Sequence, residues 1–235
     1  MIGPALAGLA VAGAGLAAHG TWHRNSWVFG RTLTHLPGPE NVVAITLDDG
    51  PNPRATPRIL DVLHREKVPA TFLVLGRHAE RWPELVRRMA DEGHQLGNHG
   101  YWHRKLHRRS PAYVRDDLTR GTEEICRASG LTALRHFRAP HGFRNPWVTP
   151  IARSLGQQTV GWSLGVWDSA RPGANEIARR ALDGLHAGSI LLLHDGDGYD
   201  ADGDRMQTAE ALPMIIDGLR ARGFRFTTLP DPPSD

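Results

Sequence analysis

Two carboxylates stand side by side at Asp48 and Asp49, after the apolar run 42–47 and before Gly50-Pro51. Like charges so placed raise each other's pKa. A cation that takes one of them relieves the repulsion and leaves the other free as a base. A plain solvated Asp-Gly-Pro turn is the competing explanation. His99 and His103 lie four residues apart, which sets both imidazoles on one side of a helical turn and within reach of one ion. Asp49, His99 and His103 together offer one oxygen and two nitrogens, the donor set of a catalytic zinc site with an open fourth position. The chain carries 13 histidines, so the spacing alone is a weak signal. His78, His94, His107 and His186 have no partner so spaced in a strand-end loop and read as surface or core histidines.

Three further segments carry polar residues after β-prone runs. In Phe137-Arg138-Ala139-Pro140-His141-Gly142 a guanidinium can hold a carboxylate, and Pro140 and Gly142 shape a turn that can aim a backbone N–H inward. Trp162 to Asp168 ends on an acid. Leu191-Leu192-Leu193-His194-Asp195 places an imidazole at the end of the most hydrophobic run. The acidic, Gly-rich stretch 195–204 starts like a calcium loop, but Arg205 stands where Gly is needed and Ala211 where the bidentate Glu belongs. It reads as a mobile loop beside the site. Cys126 falls in a helical stretch away from every strand end and reads as a small core residue.

The elements that must position these residues alternate. Strand-like runs at 42–47, 71–75, 95–97, 135–138, 158–164, 189–193 and 224–229 are separated by helical periodicity at 55–66, 83–92, 112–129, 147–155, 176–185 and 205–222. Strand and helix in alternation imply a parallel sheet with helical crossovers. About seven such units make a distorted or incomplete (β/α) barrel of the TIM type, with an open doubly wound sheet as competitor. No Gly-x-Gly-x-x-Gly follows the first strand, which weighs against a dinucleotide fold. In a parallel barrel the chemistry belongs at the strand C-termini, where all of the candidate residues fall.

The chain has 235 residues, 40% of them hydrophobic and 23% charged, which excludes wholesale disorder and suits one domain. A single cysteine excludes an internal disulfide and any cysteine-rich zinc module. The net charge is +3. The one dense basic stretch, Arg104-Lys105-Leu106-His107-Arg108-Arg109, lacks interleaved aromatics and reads as a solvated loop, so no nucleic-acid partner is expected. Residues 2–18 carry no charge and reach membrane length only at the short limit, so membrane contact there is an open expectation. This stretch is a signal, an anchor, or a buried or irregular helix. The positive-inside tendency of Arg24 and Arg31 conflicts with export. The expected organisation is therefore an apolar segment 1–18, a connector 19–40 and a catalytic domain 41–230.

Taken in order, these segments resemble the polysaccharide deacetylase family, also called the NodB-homology or carbohydrate esterase family 4 domain. The resemblance covers about residues 41–229. Its most specific piece is Thr46-Leu47-Asp48-Asp49-Gly50-Pro51, in combination with the His-x-x-x-His and Arg-x-Pro-x-Gly pieces. It implies that Asp49, His99 and His103 hold one divalent metal, zinc first, with cobalt or another divalent ion as alternatives. It implies that Asp48 is the general base, tethered by Arg138, and that His194 is the general acid, held in its charged form by Asp168. Trp162 and Leu192 would wall the acetyl pocket. The expected activity is N-deacetylation of glycans containing N-acetylglucosamine, peptidoglycan or chitin-like. The chemistry is consistent with this: an acetamide needs an activated water, an oxyanion sink and a proton for the leaving amine. The backbone N–H of His141 is placed to share the oxyanion, with Pro140 and Gly142 shaping its turn. An O-acetyl xylan esterase, another C–N hydrolase and a non-catalytic glycan-binding module are the alternatives. The expected location is secreted or membrane-anchored at the cell envelope, with a cytoplasmic one as alternative. Two positions depart from the family pattern: His141, where Tyr is frequent, and Ser169, where Trp is frequent. Oligomeric state is not legible.

Overall fold

The strand-prone run after residue 41 is apolar at every position but one before Asp48, and a computed structural model of the chain shows how its two faces are used. The structure describes residues 4–38 and 40–232. In β1 (Val42–Asp48), Val43, Ile45 and Leu47 join the core that lies under the helices. Ala44 belongs to a separate cluster with Leu36, Val160, Ile190 and Leu229. Thr46 and Asp48 share Ala44's face, as period-two alternation requires. One strand thus supplies the outer core with three residues and the inner face with Ala44, Thr46 and Asp48.

The other elements follow in βα order. They are α2 (Ala55–Glu66), β2 (Thr71–Val74), α3 (Gly76–Arg81), α4 (Pro83–Asp91), β3 (Gln95–Asn98), α5 (Pro111–Ser129), β4 (His136–Phe137), α6 (Val148–Ser154), β5 (Gln158–Thr159), β6 (Leu164–Gly165), α7 (Ala174–Gly184), β7 (Ile190–His194), α8 (Met206–Ala221) and β8 (Arg225–Thr227); α1 (Pro4–Trp22) precedes them. The sheet order is β5-β4-β3-β2-β1-β7-β6, with β8 added against the start of β1, and every strand pair is parallel. This is the expected incomplete barrel. In β7, Leu191 and Leu193 join the outer core. Ile190 belongs to the inner cluster, and Leu192 and His194 line a cavity. The β1–β7 register pairs Asp48 with His194 at the same level.

Helix ends obey local rules. Ser110 caps α5 by accepting the Tyr113 N–H, Pro111 opens it, and Gly130 closes it in the left-handed conformation at φ 79°. Two elements differ from what the sequence suggests. The strand expected at 158–164 is two short strands, because β5 pairs with β4 while β6 pairs with β7 across the barrel. The chain between them crosses the open seam. Helix α3 lies in the stretch between 75 and 83 that the sequence leaves unassigned; it is only six residues long and too short to show a period.

The segment expected as a connector packs against the barrel. Leu33 pairs in parallel with Val160, and His35 pairs antiparallel with Ser189. Leu33 N–H donates to Thr159 O at 3.0 Å and Leu36 N–H to Gly188 O at 2.8 Å. This backbone therefore spans the seam between β5 and β7. Arg144, 1% exposed, anchors it by donating to Ser26 O and Thr32 Oγ1, each at 2.6 Å. In the apolar N-terminal segment, α1 is a regular helix. Its side chains from residue 11 to 17 are exposed. Met1 to Gly3 lie outside the described residues. Among the described residues no helix is long and apolar enough to cross a membrane.

Candidate active site

Asp48 reaches the barrel interior from the last position of β1, and Arg138 reaches it from the end of β4. Arg138 is fully buried and donates from one terminal nitrogen to Asp48 Oδ1 at 2.6 Å and to Thr46 Oγ1 at 2.8 Å. Its other terminal nitrogen donates to Gly161 O at 2.7 Å. A guanidinium fixed at three acceptors holds the Asp48 carboxylate in one orientation, with Oδ2 on the side of His99, 3.7 Å from Nε2.

Asp49 sits at φ 73° in the left-handed region. For a residue other than glycine that conformation costs about 1–3 kcal/mol and is kept where the surroundings enforce it. His103 at φ 56° and His141 at 62°, which line the same cavity, share it. Asp49 Oδ1 lies 3.1 Å from His103 Nε2 and 3.4 Å from His99 Nε2, is buried, and makes no hydrogen bond. His99 donates from Nδ1 to the Arg138 carbonyl at 2.8 Å, which turns Nε2 toward Asp49. The donor atoms of Asp49, His99 and His103 lie within 4.8 Å of one another. A buried carboxylate oxygen without a donor, facing two imidazole nitrogens, fits a divalent cation. Burial alone would raise the Asp49 pKa, but the two imidazoles outweigh it and hold the acid well below the usual carboxylate range. Burial pushes His103 down to about 3, with His99 and His141 adding to the effect, so its imidazole is neutral. His99 is pulled the other way: its burial is outweighed by Asp48 and Asp49, which call for positive charge at this point.

His194 stands across the cavity from this cluster. Its Nδ1 is 2.8 Å from Asp168 Oδ1, and its backbone N–H donates to Asp168 Oδ2 at 2.8 Å. Burial would lower the imidazole pKa, but Asp168 more than reverses this, and it is pushed up to about 9. The ring is therefore an imidazolium at neutral pH. Thr208, at the start of α8, donates to the same Asp168 oxygen at 2.9 Å. No sequence pattern points to Thr208, because a hydroxyl one turn into a helix reads as surface.

A cavity of about 280 Å³ joins these groups. Asp48, Asp49, His99, His103, His194, Trp162, Leu192, His141 and Gly142 line it, as the sequence suggests. Arg138, Asp168 and Pro140 do not reach its surface. The first two lie behind Asp48 and His194, and Pro140 opens the 3-10 turn Pro140–Gly142 that carries His141. Ser169 also lines the cavity.

The acidic loop after β7 forms one wall, and it is pinned rather than free. Arg205, 6% exposed, donates to Gly196 O at 2.7 Å and to Asp197 Oδ2 at 2.7 Å. Asn52 donates to Ala201 O and Gly203 O, and Arg77 to Gly198 O. The Arg that spoils the calcium-loop pattern is what organises the loop. Tyr199, 61% exposed, stacks over His141 with its hydroxyl 2.9 Å from Nε2. A Cβ at Gly198 would lie 2.0 Å from His103 Nδ1, so the loop meets a candidate ligand at a position only glycine allows.

A parallel half-barrel with paired acid and base groups over a buried Asp-His-His cluster, all at the strand C-termini, defines a hydrolase of the α/β class with a candidate cation site. Comparison with known proteins narrows the class. The family model for polysaccharide deacetylase matches residues 35–160. The chitooligosaccharide deacetylase of Bradyrhizobium sp. (strain ANU 289) is 40% identical over 196 residues, 80% of this chain and 89% of that protein. A peptidoglycan-N-acetylglucosamine deacetylase of Bacillus cereus is 36% identical over 205 residues, 85% of this chain and 92% of that one. The solved structure of a peptidoglycan N-acetylglucosamine deacetylase in complex with 4-naphthalen-1-yl-N-oxidanyl-benzamide superposes with TM-score 0.79 at 34% identity, over 85% of this chain and 91% of that one. The chain belongs to the polysaccharide deacetylase family, and its fold is the NodB-homology half-barrel.

Proposed function

We propose that this enzyme removes N-acetyl groups from glycans containing N-acetylglucosamine, with one divalent cation, zinc in first place, held by Asp49, His99 and His103. The observation that carries the reading is the flanking of that cluster by two ion pairs of opposite sense, Asp48–Arg138 and His194–Asp168, in one cavity. The names of its relatives, on chitooligosaccharide and on peptidoglycan, support the substrate class. The same substrates support a location at the cell envelope.

A divalent cation bound there supplies Lewis acidity, lowering the pKa of a water to about 7 and polarising a carbonyl oxygen. The chain supplies the rest. Asp48, with Oδ1 tied to Arg138, takes the proton of the attacking water on Oδ2. The new C–O bond forms at the acetyl carbon while the oxyanion is shared by the backbone N–H of His141. His194, charged at neutral pH, gives its proton to the nitrogen as the C–N bond breaks, releasing acetate and the amine. Leu192 and Trp162 supply the apolar surface against which the acetyl methyl packs. A carboxylate paired with a guanidinium and an imidazolium paired with a carboxylate are the base and the acid that the two proton transfers need.

The test is acetate release from N-acetylglucosamine oligomers, peptidoglycan fragments and acetylated xylan, by protein stripped of metal and reloaded with zinc. Cation-dependent release from the first two, lost in Asp48→Asn and His99→Ala, is the expected result. Release from xylan alone would make the enzyme an O-acetyl esterase. Sugar binding without turnover at any cation loading would overturn the catalytic reading.

A further inference from the structure

The peptide turn that presents Asp49 is held at three successive carbonyls. Asp48 O accepts the Asp195 N–H at 3.2 Å and Gly50 O accepts the Leu75 N–H at 3.0 Å, both backbone groups. The middle carbonyl, that of Asp49, has a side-chain donor instead: His78 Nδ1 at 2.7 Å. A carbonyl oxygen only accepts, so the proton lies on Nδ1 of His78. His78 projects from α3 and is 2% exposed. Its ring edge packs on Trp82, and its Nε2 is buried without a partner. A ring that leaves one nitrogen unsatisfied is badly chosen as mere filling, which an apolar side chain would do without that cost. A Cβ at Gly196 would lie 2.3 Å from the same oxygen. The oxygen therefore meets both an imidazole donor and a backbone position that tolerates no side chain.

We infer that His78 is a positioning residue: through the Asp49 carbonyl it fixes the left-handed backbone that aims the Asp49 carboxylate at His99 and His103. The inference rests on reading those three residues as the cation ligands. With φ at 73°, Asp49 gains from relaxing into an ordinary backbone conformation. Such a rotation swings the carbonyl and the carboxylate together, and the bond from His78 opposes it. Support of this kind behind a metal ligand is commonly worth about 10–100-fold in metal affinity.

The experiment compares His78→Asn, His78→Gln and His78→Phe. Asn places an amide N–H where Nδ1 stands, two bonds from Cβ. Gln places its amide where Nε2 stands, out of reach of the carbonyl. Phe keeps the ring and has no donor. Zinc and cobalt(II) dissociation constants are measured on stripped protein by chelator competition. The cobalt(II) absorption spectrum reports ligand geometry, and thermal unfolding of the stripped proteins reports folding. We expect His78→Phe and His78→Gln to bind about 10-fold or more weakly, with an altered cobalt spectrum. His78→Asn recovers most of the affinity and the spectrum at a similar midpoint. Should Phe fail to fold, the Asn–Gln pair still decides. Equal affinity in all variants, or losses that follow the unfolding midpoint whichever amide is present, overturns the inference. Wild-type protein that binds neither cation overturns the ligand reading itself, and this inference with it.

Discussion

At the scale of single residues the site is a set of charges placed by hydrogen bonds, so its pH behaviour follows from the partners. His194 is held charged by Asp168, and activity that needs its proton is lost as pH rises through the imidazole's pKa, about 9 in the metal-free protein. A bound cation offsets the pull of Asp48 and Asp49 and brings this limb below 9. Asp168→Asn removes the larger pull, and the alkaline limb of kcat/KM is expected to move toward the ordinary 6.5, which a pH–rate profile reads directly. Gly198→Ala tests a different kind of residue. The loop cannot back away without breaking the bonds from Arg77 and Arg205, so the added methyl tilts His103. Cation affinity and kcat/KM are expected to fall about 10-fold or more, checked by chelator titration and acetate release. Asp48, Asp49, His99, His103, Arg138 and His194 are legible in the sequence because the chemistry requires those residue types at strand ends. Arg205, Thr208 and His78 are not: Thr208 and His78 pair with residues 40 and 29 positions away, and Arg205 folds its own loop back on Gly196 and Asp197, which no sequence pattern marks.

Elements are legible where period and caps agree and illegible where pairing decides. Residues 55–66 show helical spacing, and α2 spans those residues. The run 158–164 holds β-prone Thr159, Val160 and Trp162, yet the chain must leave one side of the barrel for the other around Gly161, and the partners β4 and β7 show the break. The N-terminal arm is the larger lesson. Rich in Gly, Pro and Trp, residues 19–40 look like a connector, but backbone groups of Leu33 and Leu36 find partners on β5 and before β7, and Arg144 is buried beneath the arm. Arg144→Met keeps most of the volume but strips the donors from Ser26 O and Thr32 Oγ1. Each acceptor left buried and unsatisfied costs about 1–3 kcal/mol. Denaturant unfolding is expected to show a loss of about 2–4 kcal/mol. Deleting residues 1–36 lowers stability at least as much, whereas deleting 1–17 leaves the seam contacts in place. Equal unfolding midpoints for the two deletions would show that the arm is a tether after all.

Across the whole molecule the barrel interior divides in two. Its lower half is closed by Ala44, Ile190, Val160 and Leu229, and its upper half holds charges whose protonation is coupled to folding. Their signs set how stability depends on pH. Asp49 and Asp168 are held low, so the stability they contribute is present above the ordinary carboxylate pKa and is lost only in strong acid. Asp195 behaves oppositely. It is buried beside Gly50, and burial pushes it up to about 7 despite the hydrogen bond from Thr56 at 2.6 Å. A carboxyl raised in the folded state favours folding below its unfolded value, 3.8, and that contribution is lost as pH rises toward 7. His194 extends the same slope, because its contribution is complete below 6.5 and is lost as pH rises through about 9. Buried histidines run the other way: His103 and His141, pushed down to about 3 and about 4, gain stability as pH rises to 6.5 and oppose Asp195 there. Stripped protein is therefore expected to lose stability steadily only from about pH 7 to pH 9, through His194, at most about 1.4 kcal/mol per pH unit. Asp195→Asn keeps an acceptor for Thr56 and cannot ionise, so its stability relative to wild type rises between about pH 4 and 7 and stays level above that, where His194 titrates in both proteins. Denaturant unfolding of stripped wild type and variant at about pH 5, 7 and 8.5 checks this, since those points bracket the two windows. A variant whose stability relative to wild type is the same at the two lower pH values would show that Asp195 is already charged in the folded protein, with the positive end of the site extending to the foot of β7.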